Sequence, residues 1–125
     1  MTTAYWCVLA VITLPYIWVM VARVPTLTLQ TNLVPRKTAE EYTGYQQRAY
    51  WAHQNALEAI APFGIVVIIV HLLQAEQGAI DALALGFTGF RIAHGLAYVA
   101  NLGVIRSAVF FAGMACMLAI FFQAV

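Results

Sequence analysis

The chain has 125 residues, of which 63% are hydrophobic and 9% are charged, and its formal net charge is +1. Soluble domains carry about 25% charged residues, so this chain lacks the polar side chains that a water-exposed surface needs. The net charge says little about partners, and no basic run or interleaving of aromatic and basic residues suggests a nucleic-acid-binding protein. The length predicts one domain, and the composition predicts an integral membrane protein.

Four apolar blocks are long enough to cross a bilayer as helices, which takes about 20 residues each. Pro15 interrupts the first block and Pro62 the second, and each proline predicts a kink. The first block is too long for a cleavable signal peptide, so we interpret it as a span. We predict an all-α fold, a single four-helix transmembrane bundle over residues 1–125, with spans at about 4–22, 50–73, 79–102 and 105–122.

The basic residues predict the orientation of these spans. Five of the six lie in the first and third connections, which face the same side of the membrane: Arg23, Arg36, Lys37, Arg48 and Arg106. Since cytoplasmic connections are enriched in Lys and Arg, we expect both connections to be cytoplasmic and both termini to lie on the outer side.

Polar side chains within the spans are the clearest functional signal, because a charge at mid-bilayer costs about 2.5 kcal/mol or more. In the third span Arg91, His94, Tyr98 and Asn101 follow the spacing i, i+3, i+7 and i+10, which places them on one helical stripe. The second span carries four polar residues in its first turns, His53, Gln54, Asn55 and Glu58. The fourth span opens with two more, Arg106 and Ser107.

Both polar sets lie in the cytoplasmic half of the membrane. Glu58 lies roughly 12 Å deep and Arg91 roughly 16 Å deep at 1.5 Å per residue, which predicts an ion pair between them. Such a pair has two interpretations: it lines a ligand site, or it only fixes helix register. A basic chamber with apolar walls suits a small polyanion beside a lipophilic second molecule.

Other kinds of site are disfavoured. The sequence has no metal-ligand spacing, no Ser-His-Asp arrangement and no phosphate loop, so we expect no metal. The polar residues stop at mid-membrane, which argues against an ion or proton pathway. Cys7 and Cys116 lie in apolar blocks and are interpreted as packing residues.

Two motifs resemble those of the MAPEG family, the membrane-associated proteins in eicosanoid and glutathione metabolism. The run RAYWAHQNALEAIAPF (residues 48–63) resembles the family pattern of Arg, a spacer, Ala-His-x-Asn-x-x-Glu and then Pro-Phe. The run FRIAHGLAYVANLGVIRS (residues 90–107) resembles its third helix, Arg-x-x-His-x-x-x-Tyr, followed by Arg-Ser. With four spans and a polar first loop, the resemblance covers nearly the whole chain.

The resemblance implies a homotrimer with glutathione bound between neighbouring subunits at the cytoplasmic end. It implies that Arg106 stabilises the glutathione thiolate and that Ser107 is the adjacent hydroxyl. It further implies glutathione contacts at His53, Asn55, Glu58, Arg91, His94, Tyr98 and Arg23. The function it predicts is a glutathione-dependent transferase or peroxidase acting on lipophilic electrophiles. The alternative is a non-catalytic lipid-binding or accessory membrane protein on the same scaffold.

Overall fold

The computed structural model describes all 125 residues, and its regular structure is entirely helical. In chain order the helices are α1 (Thr3–Arg23), α2 (Leu29–Leu33), α3 (Pro35–Glu40), α4 (Gly44–Leu72), α5 (Gln77–Val99) and α6 (Gly103–Phe121). Short 3-10 turns follow α1 and α6. Helices α1, α4, α5 and α6 are long and apolar enough to cross a membrane, as expected for an integral membrane protein with a four-helix fold.

The structure differs from the sequence expectation in the first connection. The sequence suggested a polar loop there, but the segment contains α2 and α3. Thr28 and Thr31 form a capping box that starts α2. Helix α4 begins at Gly44, ahead of the apolar block that starts at Tyr50, so its first turns are polar.

Helices α1, α4 and α5 pack together, whereas α6 packs mainly on α5 and makes far fewer contacts with α4. In the core, the rings of Phe63 and Phe87 stack with their centroids 4.1 Å apart. Gly95 lets the indole of Trp18 lie directly against α5. The sparse packing between α4 and α6 leaves a cleft whose back wall is α5.

Two side chains at the start of α4 secure one end of the bundle, here called the basic end, which carries the α1–α4 connection and the α5–α6 turn. The last carbonyls of a helix have no partner within it. Arg48 Nε donates to the carbonyl of Val99 at 3.0 Å, and Gln46 Nε2 donates to that of Ala22 at 2.8 Å. The beginning of α4 therefore caps the ends of both α5 and α1.

The α5–α6 turn has only three residues between its helices. Asn101 adopts a left-handed conformation with φ 61°, which asparagine tolerates better than most residues. The backbone N–H of Leu102 donates to the carbonyl of Ala97 at 2.9 Å and closes the turn. The first turn of α6 is thus held beside the last turn of α5.

Carboxylates organise the opposite end of the bundle. Asp81 accepts hydrogen bonds from the backbone N–H of Ala4 at 2.8 Å and from the Gln77 amide at 2.9 Å, which joins α1 to α5. Glu76 caps α5 by accepting from the backbone N–H groups of Ala79 and Gly78. These two hydrogen bonds lower the pKa of Glu76 below its usual value of 4.5.

Candidate functional site

The deepest polar contact in the cleft joins α5 to α4. Arg91 is only 6% exposed. Its Nη2 donates to the Asn55 backbone carbonyl at 3.0 Å and to Asn55 Oδ1 at 2.6 Å. Asn55 Nδ2 in turn lies 3.5 Å from Glu58 Oε2. The ion pair expected between Glu58 and Arg91 is therefore replaced by a chain in which Asn55 stands between the two charges.

A polar groove opens beside Asn55 and Glu58 at the basic end of the cleft. Its volume is about 450 Å³, and it is largely open to the surroundings. The Glu58 carboxylate is exposed and is the only acidic side chain of the groove, whereas Arg106 is its only basic one. Its lining residues come from α4, α5 and α6: Trp51, Gln54, Asn55, Glu58, Tyr98 and Arg106.

An apolar cavity of about 240 Å³ adjoins the polar groove, deeper between α4, α5 and α6. Asn55 and Glu58 line both spaces, and Arg91 stands at the polar rim of the cavity. The remaining walls are apolar: Ala59, Pro62, Phe87, Phe110, Met114 and Met117. A polar ligand in the groove would therefore lie next to a space that accepts an apolar group.

Arg106 lies against an aromatic ring. Its guanidinium carbon is 4.5 Å from the centroid of the Tyr98 ring, within the range of a cation–π interaction. The imidazole of buried His94 meets the Tyr98 ring edge-on at 5.4 Å and lies 5.8 Å from the Phe110 ring. His94 thus supports the groove wall from behind Tyr98.

Five predicted site residues do not line the polar groove, and three of these make their contacts elsewhere. His53 turns to α1, with Nδ1 2.8 Å from the Pro15 carbonyl. Ser107 is exposed, and its Oγ donates to the Gly103 carbonyl of its own helix at 3.1 Å. Arg23 donates to the side chain of Asn32 within the first connection. The groove therefore unites Asn55, Glu58, Tyr98 and Arg106, with Arg91 and His94 behind them.

Two groove residues were not predicted as ligand contacts. Gln54 was named only among the polar residues of the second span, and Trp51 lies in the run of residues 48–63 without a role assigned to it. Both line the groove. Their spacing carried a usable signal, since Trp51 is four residues before Asn55 and Gln54 is four before Glu58, which places each pair on one helix face.

The structure contains no cluster of side chains suited to binding a metal ion. No three His, Cys, Asp or Glu side chains come close enough to hold a metal ion. Cys7 is buried in the core and Cys116 is half-buried, and they do not form a disulfide. The site consists of one groove and one cavity.

Four helices of membrane-spanning length, with a cleft that is polar at one end and apolar beyond, define an integral membrane protein. The MAPEG family model matches residues 3–125. The chain belongs to the MAPEG family, as its two motifs predicted, and membership fits a glutathione-related function in the membrane. The chain has no significant match among curated proteins or solved structures.

Proposed function

We propose that the protein is a glutathione-dependent transferase or peroxidase that acts on lipophilic electrophiles. The observation that supports this best is the shared boundary of the two spaces. A polar groove with one free carboxylate and one guanidinium meets an apolar cavity at Asn55 and Glu58. A water-soluble thiol in the groove would there meet a membrane-dissolved substrate in the cavity.

Arg106 is the proposed catalytic residue. A guanidinium beside the sulfur favours the thiolate, which is the nucleophile. In the transferase reaction the thiolate forms a C–S bond to the electrophilic carbon, and the leaving group departs with its electron pair. In the peroxidase reaction the thiolate attacks the terminal oxygen of a hydroperoxide, so an S–O bond forms while the O–O bond breaks and the alkoxide leaves as the alcohol. A second glutathione then reduces the sulfenic acid to give a disulfide and water.

The other groove residues bind the peptide in this proposal. Glu58 presents an exposed carboxylate that suits the ammonium group of glutathione. Arg91 fixes the Asn55 side chain through its carbonyl oxygen, so the amide has a defined orientation. The ligand would then be oriented by its amine at Glu58 and by its thiol at Arg106.

The homotrimer and the membrane orientation are part of the proposal. Glu58 is exposed on a membrane-spanning helix of the single chain, and an uncovered carboxylate at that depth is costly in lipid. A neighbouring subunit of the trimer would cover it. The basic end would lie in the cytoplasm, where glutathione is present, in agreement with its Lys and Arg content.

The test is glutathione binding by the detergent-purified protein, with thiolate absorbance and turnover of an aryl halide and of an organic hydroperoxide. We expect binding at millimolar glutathione or below, and loss of turnover in Arg106→Ala. The matched control is Lys37→Ala, which removes an exposed charge that does not line the groove.

The outcomes separate the alternatives. Failure to bind millimolar glutathione would refute the proposal. Binding without turnover of either substrate favours the non-catalytic lipid-binding alternative, which the apolar cavity also suits. Thiolate absorbance that survives Arg106→Ala would show that the sulfur lies elsewhere in the groove.

A further inference from the structure

Arg106 occupies a defined position although its side chain is long and flexible. It makes no hydrogen bond to a carboxylate, and its guanidinium rests on the face of the Tyr98 ring, with its central carbon 4.5 Å from the centroid. The three-residue turn fixes the spacing of the two residues, because the backbone N–H of Arg106 donates to the carbonyl of Leu102 at 2.9 Å. Ring and guanidinium are thus brought together by the backbone.

We infer that the ring of Tyr98 is a positioning element that holds the Arg106 guanidinium at the groove before the thiol binds. This inference rests on the proposed function and deepens it. It assigns to the aromatic ring a role separate from any hydrogen bond made by the Tyr98 hydroxyl. A charge that is already in place costs no reorganisation when the thiolate forms.

A ring suits this task better than a carboxylate would. An aspartate or glutamate paired with Arg106 would neutralise the charge and compete with a thiolate, whereas the π face attracts a cation weakly and carries no net charge. Glu58 lines the same groove but makes its contact with Asn55. Arg106 therefore keeps its full charge available to an anion.

The ring is itself fixed from behind. His94 is 4% exposed, meets the Tyr98 ring edge-on, and also packs beside Phe110 of α6. The titratable and charged groups around Arg106 are thus Glu58 on α4 and His94 and Tyr98 on α5. His94 supports the ring from the protein interior, while the groove side of the ring is left for Arg106.

The first test needs no ligand. The chain has five arginines, so the side-chain Nε–H signals in a ¹⁵N NMR spectrum can be assigned by single Arg→Lys substitutions. We expect an upfield ring-current shift of the Arg106 signal in the wild type and in Tyr98→Phe, which keeps the ring. The shift should vanish in Tyr98→Leu. A wild-type Arg106 signal at the position of a solvated arginine would overturn the inference.

The second test measures the bound thiol. The thiolate absorbance of bound glutathione is titrated against pH in the same three proteins. In Tyr98→Leu we expect the midpoint to move up by roughly one pH unit and kcat at neutral pH to fall roughly tenfold. Tyr98→Phe should keep both the midpoint and kcat near their wild-type values. An effect that came from the hydroxyl, or from a general loss of folding on substitution at this position, would also appear in Tyr98→Phe.

These outcomes distinguish the inference from the proposed function. If the wild type binds no glutathione, the proposed function fails, and the NMR arm still decides whether the ring holds Arg106. If glutathione binds and Tyr98→Leu leaves the thiol midpoint unchanged, the positioning role is refuted while the proposed function stands. If Tyr98→Phe is as impaired as Tyr98→Leu, the hydroxyl rather than the ring is responsible.

Discussion

Arg91 of α5 holds Asn55 of α4 by two acceptors at once, the backbone carbonyl and the side-chain carbonyl oxygen. The buried guanidinium is therefore satisfied by neutral oxygens. A direct salt bridge would have consumed the carboxylate of Glu58, whereas this arrangement leaves it facing the groove. Asn55 thus separates the buried charge of Arg91, which joins two helices, from the charge of Glu58, which remains available in the groove.

The first prediction concerns the stability of this contact. Asn55→Ala leaves a buried guanidinium without its side-chain acceptor and should lower the free energy of unfolding by about 2 kcal/mol, as expected for a hydrogen bond that involves a charged group. Glu58→Gln should lower it by less, because the one contact of Glu58 within the chain is the 3.5 Å hydrogen bond from Asn55, which the glutamine carbonyl oxygen can also accept. Unfolding in detergent, followed by circular dichroism, measures both.

A double-mutant cycle provides the control for that prediction. Arg91→Leu combined with Asn55→Ala removes both partners, so the combined cost should be smaller than the sum of the single costs. Strict additivity would mean that the hydrogen bond from Arg91 to Asn55 Oδ1 contributes nothing. A large loss of stability in Glu58→Gln would instead support the direct ion pair between Glu58 and Arg91 that the sequence had suggested.

The second prediction concerns His53. Its Nδ1 bonds to the Pro15 carbonyl, so His53→Ala should lower the free energy of unfolding by about 1 kcal/mol. Glutathione affinity should stay near the wild-type value, since His53 does not line the groove. Isothermal titration calorimetry measures the glutathione affinity, and thermal unfolding measures the stability. Weakened glutathione binding at unchanged stability would instead identify His53 as a ligand contact.

The third prediction uses two glycines of α5. A Cβ at Gly95 would overlap the buried Trp18 indole, so Gly95→Ala should destabilise the fold by about 2 kcal/mol as α1 and α5 are forced apart. Gly89→Ala is the matched control, because nothing lies near its Cβ and alanine favours a helix by about 0.5–1 kcal/mol. Equal melting temperatures for the two variants would contradict this packing.

The fourth prediction is a pH dependence at the start of α5. The pKa of Glu76 is lowered by hydrogen bonds from Ala79 and Gly78, so its ionised form stabilises the folded state. That contribution is complete above the unfolded pKa near 4.5 and is lost as the pH falls through the lower folded value. Glu76→Gln should therefore unfold more easily than the wild type at neutral pH, and the difference should shrink below pH 4.5.

The control for the fourth prediction is Glu41→Gln, an exposed carboxylate that accepts no hydrogen bond. It should show no comparable difference between neutral and acidic pH. Melting curves from pH 3 to 7 provide the comparison. A Glu76→Gln difference that stays constant across this range would exclude the carboxylate as the helix cap.

The sequence predicted the helical membrane fold because hydrophobic block length is a strong signal in membrane proteins. The stripe of Arg91, His94 and Tyr98 also follows from periodicity alone. Depth in the membrane suggested the partner of Arg91, but depth does not specify how a helix is rotated. Asn55 lies one turn before Glu58 on α4, and it is Asn55 that accepts the hydrogen bond from the Arg91 guanidinium.

Two further features escaped prediction for physical reasons. The hydrogen bond from Arg48 to the Val99 carbonyl was not predicted, because such capping depends on where α5 ends to within one residue. Helices α2 and α3 have five and six residues, too few to show an amphipathic period. Local hydrogen bonds and caps decide both features.

The length of the short turn between α5 and α6 determines where Arg106 lies relative to the groove. One added or deleted residue between Ala100 and Gly103 would rotate α6 by about 100° and shift it by about 1.5 Å. The block of apolar residues would still cross the membrane, yet Arg106 would leave the ring of Tyr98 and face away from the groove. The spacing of eight residues from Tyr98 to Arg106 is therefore as specific to the site as the identity of either side chain.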